Sequence, residues 1–144
     1  MLRAGLLALF AIAAFSVTPL SAQQGPTEPS YVYHAKVTKV LEGDLVDMDI
    51  DLGFYILIKA QRVRLIGIDA PAPDGDTKAA GDAATAHLKS LIEGKSVIVQ
   101  TFRGEDAADR TDSFGRWLGQ VYLDGSDVNQ EMIQTGHAAS IPRP

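Results

Sequence analysis

The chain has 144 residues, enough for one domain, and carries 18 acidic against 13 basic side chains for a net charge of −5. That balance excludes a protein that holds nucleic acid by bulk attraction, because counterion release on phosphate neutralisation rewards a basic surface. The sequence contains no cysteine, which excludes a disulfide framework and leaves the fold to core packing, with or without a bound metal.

The N-terminus reads as a secretory leader. Met1-Leu2-Arg3 gives a short positive start, Ala4 to Val17 is apolar apart from Ser16, and Leu20-Ser21-Ala22 precedes a cleavage point before Gln23. The apolar run is shorter than the ~20 residues a spanning helix needs, so residues 1–22 are assigned as a signal peptide and no stable membrane anchor is expected. The mature protein is expected to be secreted or periplasmic, and losing Arg3 makes it one unit more acidic. Residues 23–30, with Gly, Pro, Thr and Ser, read as a flexible lead-in. Residues 31–144 remain as a domain large enough to fold alone, expected as a monomer.

Tyr31 to Val40 has a strand pattern, Glu42-Gly43-Asp44 makes a turn, and Val46 to Asp51 alternates cleanly between apolar and acidic positions. Phe54 to Ile58 and Arg62 to Ile68 are two more β-rich runs, and Ala70 to Thr77, with two prolines and two aspartates, is a loop. From Lys78 to Ile92 the period changes: Ala80, Ala83, Ala84, Leu88, Leu91 and Ile92 recur at helical spacing, and Gly94 stands where a C-terminal cap belongs. Val97 to Phe102 and Trp117 to Leu123 read as strands on either side of the polar stretch Arg103 to Ser113. Asp127 with Gln130 opens a short helix that Gly136 closes. These β-rich runs with a helix between Ile68 and Val97 fit an α+β fold, an OB-type five-stranded barrel with two helices. Periodicity alone leaves other α+β arrangements open.

Three segments carry groups that could do chemistry. The turn Glu42-Gly43-Asp44 presents a carboxylate at a strand start. The run Arg64-Leu65-Ile66-Gly67-Ile68-Asp69-Ala70-Pro71 places Arg64, Ile66 and Ile68 on one strand face and Asp69 where the strand ends. Arg110 to Arg116 delivers an arginine where the strand from Trp117 begins. Two carboxylates and two arginines from chain-distant strand ends suit metal-assisted phosphodiester cleavage, since hard cations take oxygen ligands and arginines clamp phosphate oxygens. Taken singly, each has a plainer role: strand arginines are usually solvated, and turn aspartates usually bond their own backbone.

Together, Gly43-Asp44, Arg64-x4-Asp69-Ala70-Pro71, Gly81-Asp82-Ala83-Ala84, Asp112-Ser113-Phe114-Gly115-Arg116 and Val121-Tyr122-Leu123-Asp124-Gly125 resemble the staphylococcal nuclease (thermonuclease) family, from about Tyr33 to Ala139. The resemblance implies calcium (Ca2+) held by Asp44, Asp69 and the backbone carbonyl of Ala70. It implies phosphate binding by Arg64 and Arg116, and hydrolysis of DNA or RNA by water. The chain departs from that pattern in places. Ala72 stands where the family places a glutamate that orients or deprotonates the attacking water, so Asp74, or Asp76 in the same loop, is the candidate substitute base. Leu45 replaces a turn threonine, Phe114 a tyrosine, and Ser140 to Pro144 contains no tyrosine. Weak nucleic-acid binding is therefore expected. The rival expectations are a non-catalytic member that binds nucleic acid or protein, and an envelope module that binds polysaccharide. Asp47-x-Asp49-x-Asp51 imitates a calcium loop but has Leu52 for its glycine and Ile58 for its glutamate, so a strand face is expected instead. His34, His87 and His137 lack zinc-ligand spacing.

Overall fold

The computed structural model describes residues 28–104 and 110–143; the leader and most of the lead-in lie outside the described residues. In chain order the elements are β1 (Val32–Glu42), β2 (Leu45–Asp51), β3 (Leu57–Leu65), β4 (Ile68–Asp69), α1 (Lys78–Ile92), β5 (Ser96–Thr101), β6 (Trp117–Leu123), β7 (Ser126–Asp127), α2 (Val128–Gln134) and β8 (Ala139–Ser140). The main sheet runs β3-β2-β1-β5-β6 with antiparallel neighbours, and β3 then pairs with β6 in parallel, Val63 against Trp117 and Leu65 against Gly119. That last pairing closes five strands into a barrel, which with α1 and α2 gives the α+β OB-type architecture expected from the element order. Among the described residues no helix is long and apolar enough to cross a membrane.

Alternation in β2 works as the sequence implies. Val46, Met48 and Ile50 point into the core, while Asp47 and Asp49 face outward and are answered across the strand pair by Arg62 at 2.9 Å and Lys59 at 2.8 Å. The Lys59 hydrogen bond, followed by that from the Ala60 amide, holds the Asp49 carboxyl below its ordinary value. These acids are cross-strand partners that help fix register rather than a calcium loop.

Two strand assignments need correction. The runs Phe54–Ile58 and Arg62–Ile68 are not two strands. Leu57 to Leu65 is continuous, and Phe54-Tyr55 forms the hairpin turn before it. The turn closes early because the Gly53 amide donates to the Asp51 carboxylate, the Leu52 amide to the Ile56 carbonyl and the Ile56 amide to the Gly53 carbonyl. At the other end β3 stops at Leu65, and Gly67 takes a φ of 78°. Arg64 therefore does not share a continuous strand face with Ile66 and Ile68; both isoleucines turn into the interior. Two further short strands, β7 and β8, follow β6.

Helix α1 has the predicted bounds, but its buried face is Gly81, Ala84, Leu88 and Ile92, with Ala80 and Ala83 exposed. Small residues allow it to dock tightly. A Cβ on Gly81 would lie 2.4 Å from the carbonyl oxygen of Ala72, and one on Gly43 would lie 2.6 Å from the Cβ of Ala84. The helix thus presses directly on the Gly43-Asp44 turn and on the loop after Pro71.

Asn129, 2% exposed at the start of α2, fastens the opposite side. Its amide nitrogen donates to the carbonyls of Ile66 (2.9 Å) and Gly119 (3.3 Å), and its oxygen accepts from the Val121 amide (3.1 Å). Nothing in the sequence pattern marked it. Asn129→Ala should destabilise the domain by about 2–4 kcal/mol, because it strands several buried backbone groups and leaves a small void. Urea unfolding at neutral pH measures this.

Candidate active site

The Gly43-Asp44 turn and the end of β3 lie side by side, since Leu45 pairs with Arg64 and the Leu65 amide donates to the Asp44 carbonyl at 2.8 Å. Beyond the Ile66-Gly67 turn, β4 brings Asp69 back beside them. It is held by β8, where Ile68 pairs with Ser140 and Asp69 with Ala139. The result is a compact charge centre. One guanidinium nitrogen of Arg64, Nη2, donates to Asp44 Oδ2 at 3.2 Å and to Asp69 Oδ1 at 2.6 Å, and the Ala70 amide donates to the same Asp44 oxygen at 3.2 Å. Asp44 is 5% exposed, so its charge depends on these partners; Asp69 is largely open to solvent.

Both engaged oxygens lie within hydrogen-bonding reach of a single nitrogen, and so within about 6 Å of each other. Among the described residues every hydrogen bond to Asp44 falls on Oδ2, and the one to Asp69 on Oδ1, leaving the second oxygen of each carboxylate uncommitted. A pair of hard oxygen donors at this spacing, one buried and one exposed, fits a divalent cation whose remaining ligands are backbone oxygen, water or a phosphate. No group of three or more His, Cys, Asp or Glu side chains converges among the described residues. The donor set is thus two carboxylates, with the Ala70 backbone beside them.

Arg116 is built separately. Asp112, whose side chain is 10% exposed, accepts from the Arg116 amide (3.0 Å) and the Phe114 amide (2.9 Å) through one oxygen, and from Arg116 Nε at 2.5 Å through the other. The guanidinium lies over the Phe114 ring at 5.0 Å. Asp112 thereby orients Arg116, a role the sequence reading did not assign, although the Asp112-to-Arg116 motif contained both residues. Arg64, Thr111, Asp112 and Ser113 line a cleft of about 350 Å³ together with Ile66, Gly67, Ile141 and Pro142.

Burial pushes the Asp112 carboxyl up, but the amide and guanidinium of Arg116 and the amide of Phe114 outweigh it and hold it below 3.8. Its contribution to stability is therefore complete above that value and is lost as pH falls through the lowered one. Asp112→Asn should be less stable than wild type at neutral pH, and the gap should close in that acid window. Urea unfolding at a series of pH values checks this.

The loop after Pro71 is ordered by its backbone. Thr77 Oγ1 donates to the carbonyls of Ala72 (2.9 Å) and Asp74 (3.1 Å), and Gly81 abuts Ala72. Ala72 and Asp74 are exposed, and the Asp74 side chain makes no capping bond to the helical turn it precedes. Asp69 and Pro71 also line a second cavity of about 430 Å³ with Thr77 and His137. His137 is not isolated. It stacks on His87, with centroids 4.1 Å apart and planes 6° from parallel, and both rings approach Thr135 Oγ1.

An OB barrel with two carboxylates and a guanidinium gathered at its strand ends, beside a cleft, defines an OB-fold protein with a charged centre. A family described as staphylococcal nuclease homologue matches residues 62–143, more than half of the chain, and the chain belongs to that family. It is 41% identical over 107 residues to an uncharacterized endonuclease of Escherichia coli O157:H7, a match covering 73% of this chain and 59% of the relative. A probable staphylococcal-like nuclease of Oryza sativa subsp. japonica is 34% identical over 86 residues, covering 60% of this chain and 23% of its own length. The chain thus spans under two thirds of these relatives.

Proposed function

We propose that this protein is a calcium-dependent phosphodiesterase acting on DNA or RNA, with Asp44, Asp69 and the Ala70 carbonyl as cation ligands and Arg64 and Arg116 as phosphate ligands. The observation that carries it is the convergence of Asp44 and Asp69 on one nitrogen of Arg64. Two carboxylates this close repel one another, and a cation between them would offset that repulsion. Asp44 and Asp69 would hold the ion, and Arg64, no longer engaged by both carboxylates, would then be available to an anionic substrate. The ion, when bound, supplies Lewis-acid polarisation of a phosphoryl oxygen. Arg64 contributes a planar donor pair to phosphate oxygens at the cleft wall, and Arg116, held by Asp112, a second. Both stabilise charge that builds on the phosphorus oxygens as water attacks. Asp74, the nearest carboxylate in sequence to the Ala72 position, is the candidate to take the water's proton.

A second reading is supported by Ala72 itself: its methyl group accepts no proton, which fits a family member that binds nucleic acid or protein without cutting. Digestion of plasmid and RNA by the purified protein, with calcium and with chelator, separates the two. Calcium-dependent cleavage is the expected result. Salt-sensitive DNA binding without cleavage at any calcium concentration would establish the second reading instead. Export to the periplasm or medium is part of the proposal, and recovered mature protein should begin at or near Gln23.

A further inference from the structure

Two separate spaces adjoin the charge centre. Arg64 lines the cleft and Asp69 does not, whereas Asp69 lines the cavity of about 430 Å³ and Arg64 does not. The two side chains are bonded at 2.6 Å, so a group bound at that pair borders both spaces. The volume of the cavity falls within the roughly 300–1,000 Å³ of small-ligand sites. Pro71, Ala138 and Ala139 give it small apolar surfaces, with Asp69 and Thr77 as polar groups. Among the described residues that line it, only His137 is aromatic. That ring is held in advance of any ligand. Gly136, at a φ of 75°, turns the chain out of α2, and the amides of His137 and Ala138 both donate to the Met132 carbonyl, at 2.9 and 3.0 Å. Nδ1 of His137 lies 2.9 Å from Thr135 Oγ1, and the His87 ring covers one face with centroids 4.1 Å apart. His87 backs the ring and does not itself line the cavity, so the opposite face is the surface His137 has left to offer a planar ligand.

We infer that this cavity takes the base of the nucleotide next to the phosphate bound at the charge centre, stacked on the free face of His137. The inference rests on the phosphodiesterase reading above for the phosphate itself. Continuity selects the occupant: whatever fills a space bordered by Asp69 while a phosphodiester sits at Arg64 is the adjoining part of the same strand. A base is the planar part of that strand, and it would extend the stack from two rings to three. The ring is fixed by Thr135 and His87, so little side-chain freedom is lost when a base settles on it. Stacking is also the contact this chain can best use. Its net charge of −5 gives no general attraction to a polyanion, and stacking needs none. Ser140 to Pro144 contains no tyrosine, and His137, two residues before β8, supplies an aromatic platform instead. Since every base has a π-face, the site should show little preference among bases.

The test uses the full chain with calcium and two phosphorothioate-linked ligands, which resist cleavage: trideoxyadenylate, and the same backbone without bases. Trideoxyadenylate should move the His137 Cε1 proton upfield in NMR through the ring current of the stacked adenine, and the base-free backbone should not. His137→Ala should weaken binding of trideoxyadenylate roughly tenfold, within the range of base–aromatic stacking, and leave the base-free backbone unaffected. His137→Phe should keep most of the affinity, since a phenyl ring stacks but cannot bond Thr135. Arg64→Ala should weaken both ligands, which reads the phosphate contact separately. The NMR shift is read on wild type, so a variant that folds poorly leaves the test standing. Equal affinity for the two ligands, lost alike in Arg64→Ala, overturns the stacking site and keeps the phosphate reading. A base-dependent gain with no movement of the His137 proton also overturns it and puts the base elsewhere. So does a loss in His137→Ala that phenylalanine does not restore, which would assign the ring a hydrogen-bonding role. If neither ligand binds wild type, the phosphate reading falls and this inference with it.

Discussion

Arg64→Ala and Arg116→Ala should each depress calcium-stimulated cleavage by on the order of 10²- to 10³-fold, the loss that follows removal of one preorganised donor to developing negative charge. The two variants should differ in their response to metal. Arg64 donates to both Asp44 and Asp69, so alanine there removes the group that competes with a cation for those carboxylates. Calcium at a hundredfold excess over its Kd would stabilise the native state by about 2.7 kcal/mol, which for a domain of this size raises Tm by roughly 10 °C. That rise should be undiminished or larger in Arg64→Ala, unchanged in Arg116→Ala, and mostly absent in Asp44→Ala and Asp69→Ala. Lysine should restore only part of the activity at either arginine, because it lacks the planar fork. Equal cleavage by wild type and both alanine variants would dismiss the phosphate role, and an intact calcium response in both aspartate variants would dismiss the metal site.

Much of this architecture is legible in the sequence because local rules and tertiary packing agree. The alternation of β2, the bounds of α1, the glycine after that helix and the cap at Asp127 all follow from periodicity and hydrogen-bonding chemistry; the Asp127 carboxylate does accept from the Gln130 amide at 3.0 Å. The errors fall where tertiary contacts decide. Phe54 and Tyr55 have strand-like side chains but sit in a turn, because the Asp51 carboxylate captures the Gly53 amide. The run through Ile66 and Ile68 looks continuous, yet the Ile66 amide leaves the strand to donate to the Gly119 carbonyl at 2.9 Å, with Asn129 closing the other side. Pairing of β4 with β8 joins segments some 70 residues apart, at two residues each, too short for any pattern to show. The stacking of His87 on His137 likewise depends on how α1 meets the end of α2. At the charge centre, residue types and spacing point to Asp44, Arg64 and Asp69 beforehand, but not to their sharing one nitrogen. The hold of Asp112 on Arg116 is visible only in three dimensions.

The largest gain is expected from Ala72→Glu. Thr77 fixes the Ala72 carbonyl and Gly81 packs against it, so the backbone that would carry a new carboxylate is already placed. The Ala72 side chain is exposed, so a longer one costs no packing. If the centre lacks only a proton acceptor beside Pro71, the glutamate should raise calcium-dependent cleavage by on the order of 10²-fold, the lower end of what general-base assistance supplies. The result has to be read with Asp74→Ala. That carboxylate is exposed and makes no capping bond, so it is free to serve the same water. A large loss in Asp74→Ala, with little gain in Ala72→Glu, would identify Asp74 as the working base. A large gain in Ala72→Glu, with no loss in Asp74→Ala, would show a phosphodiesterase centre idling for want of one. If a folded, calcium-responsive protein shows neither change, supplying a base is not enough. The shortfall then lies in substrate contacts such as Phe114, which offers a ring where a hydroxyl could reach phosphate, and the non-cutting reading becomes the better account of the barrel.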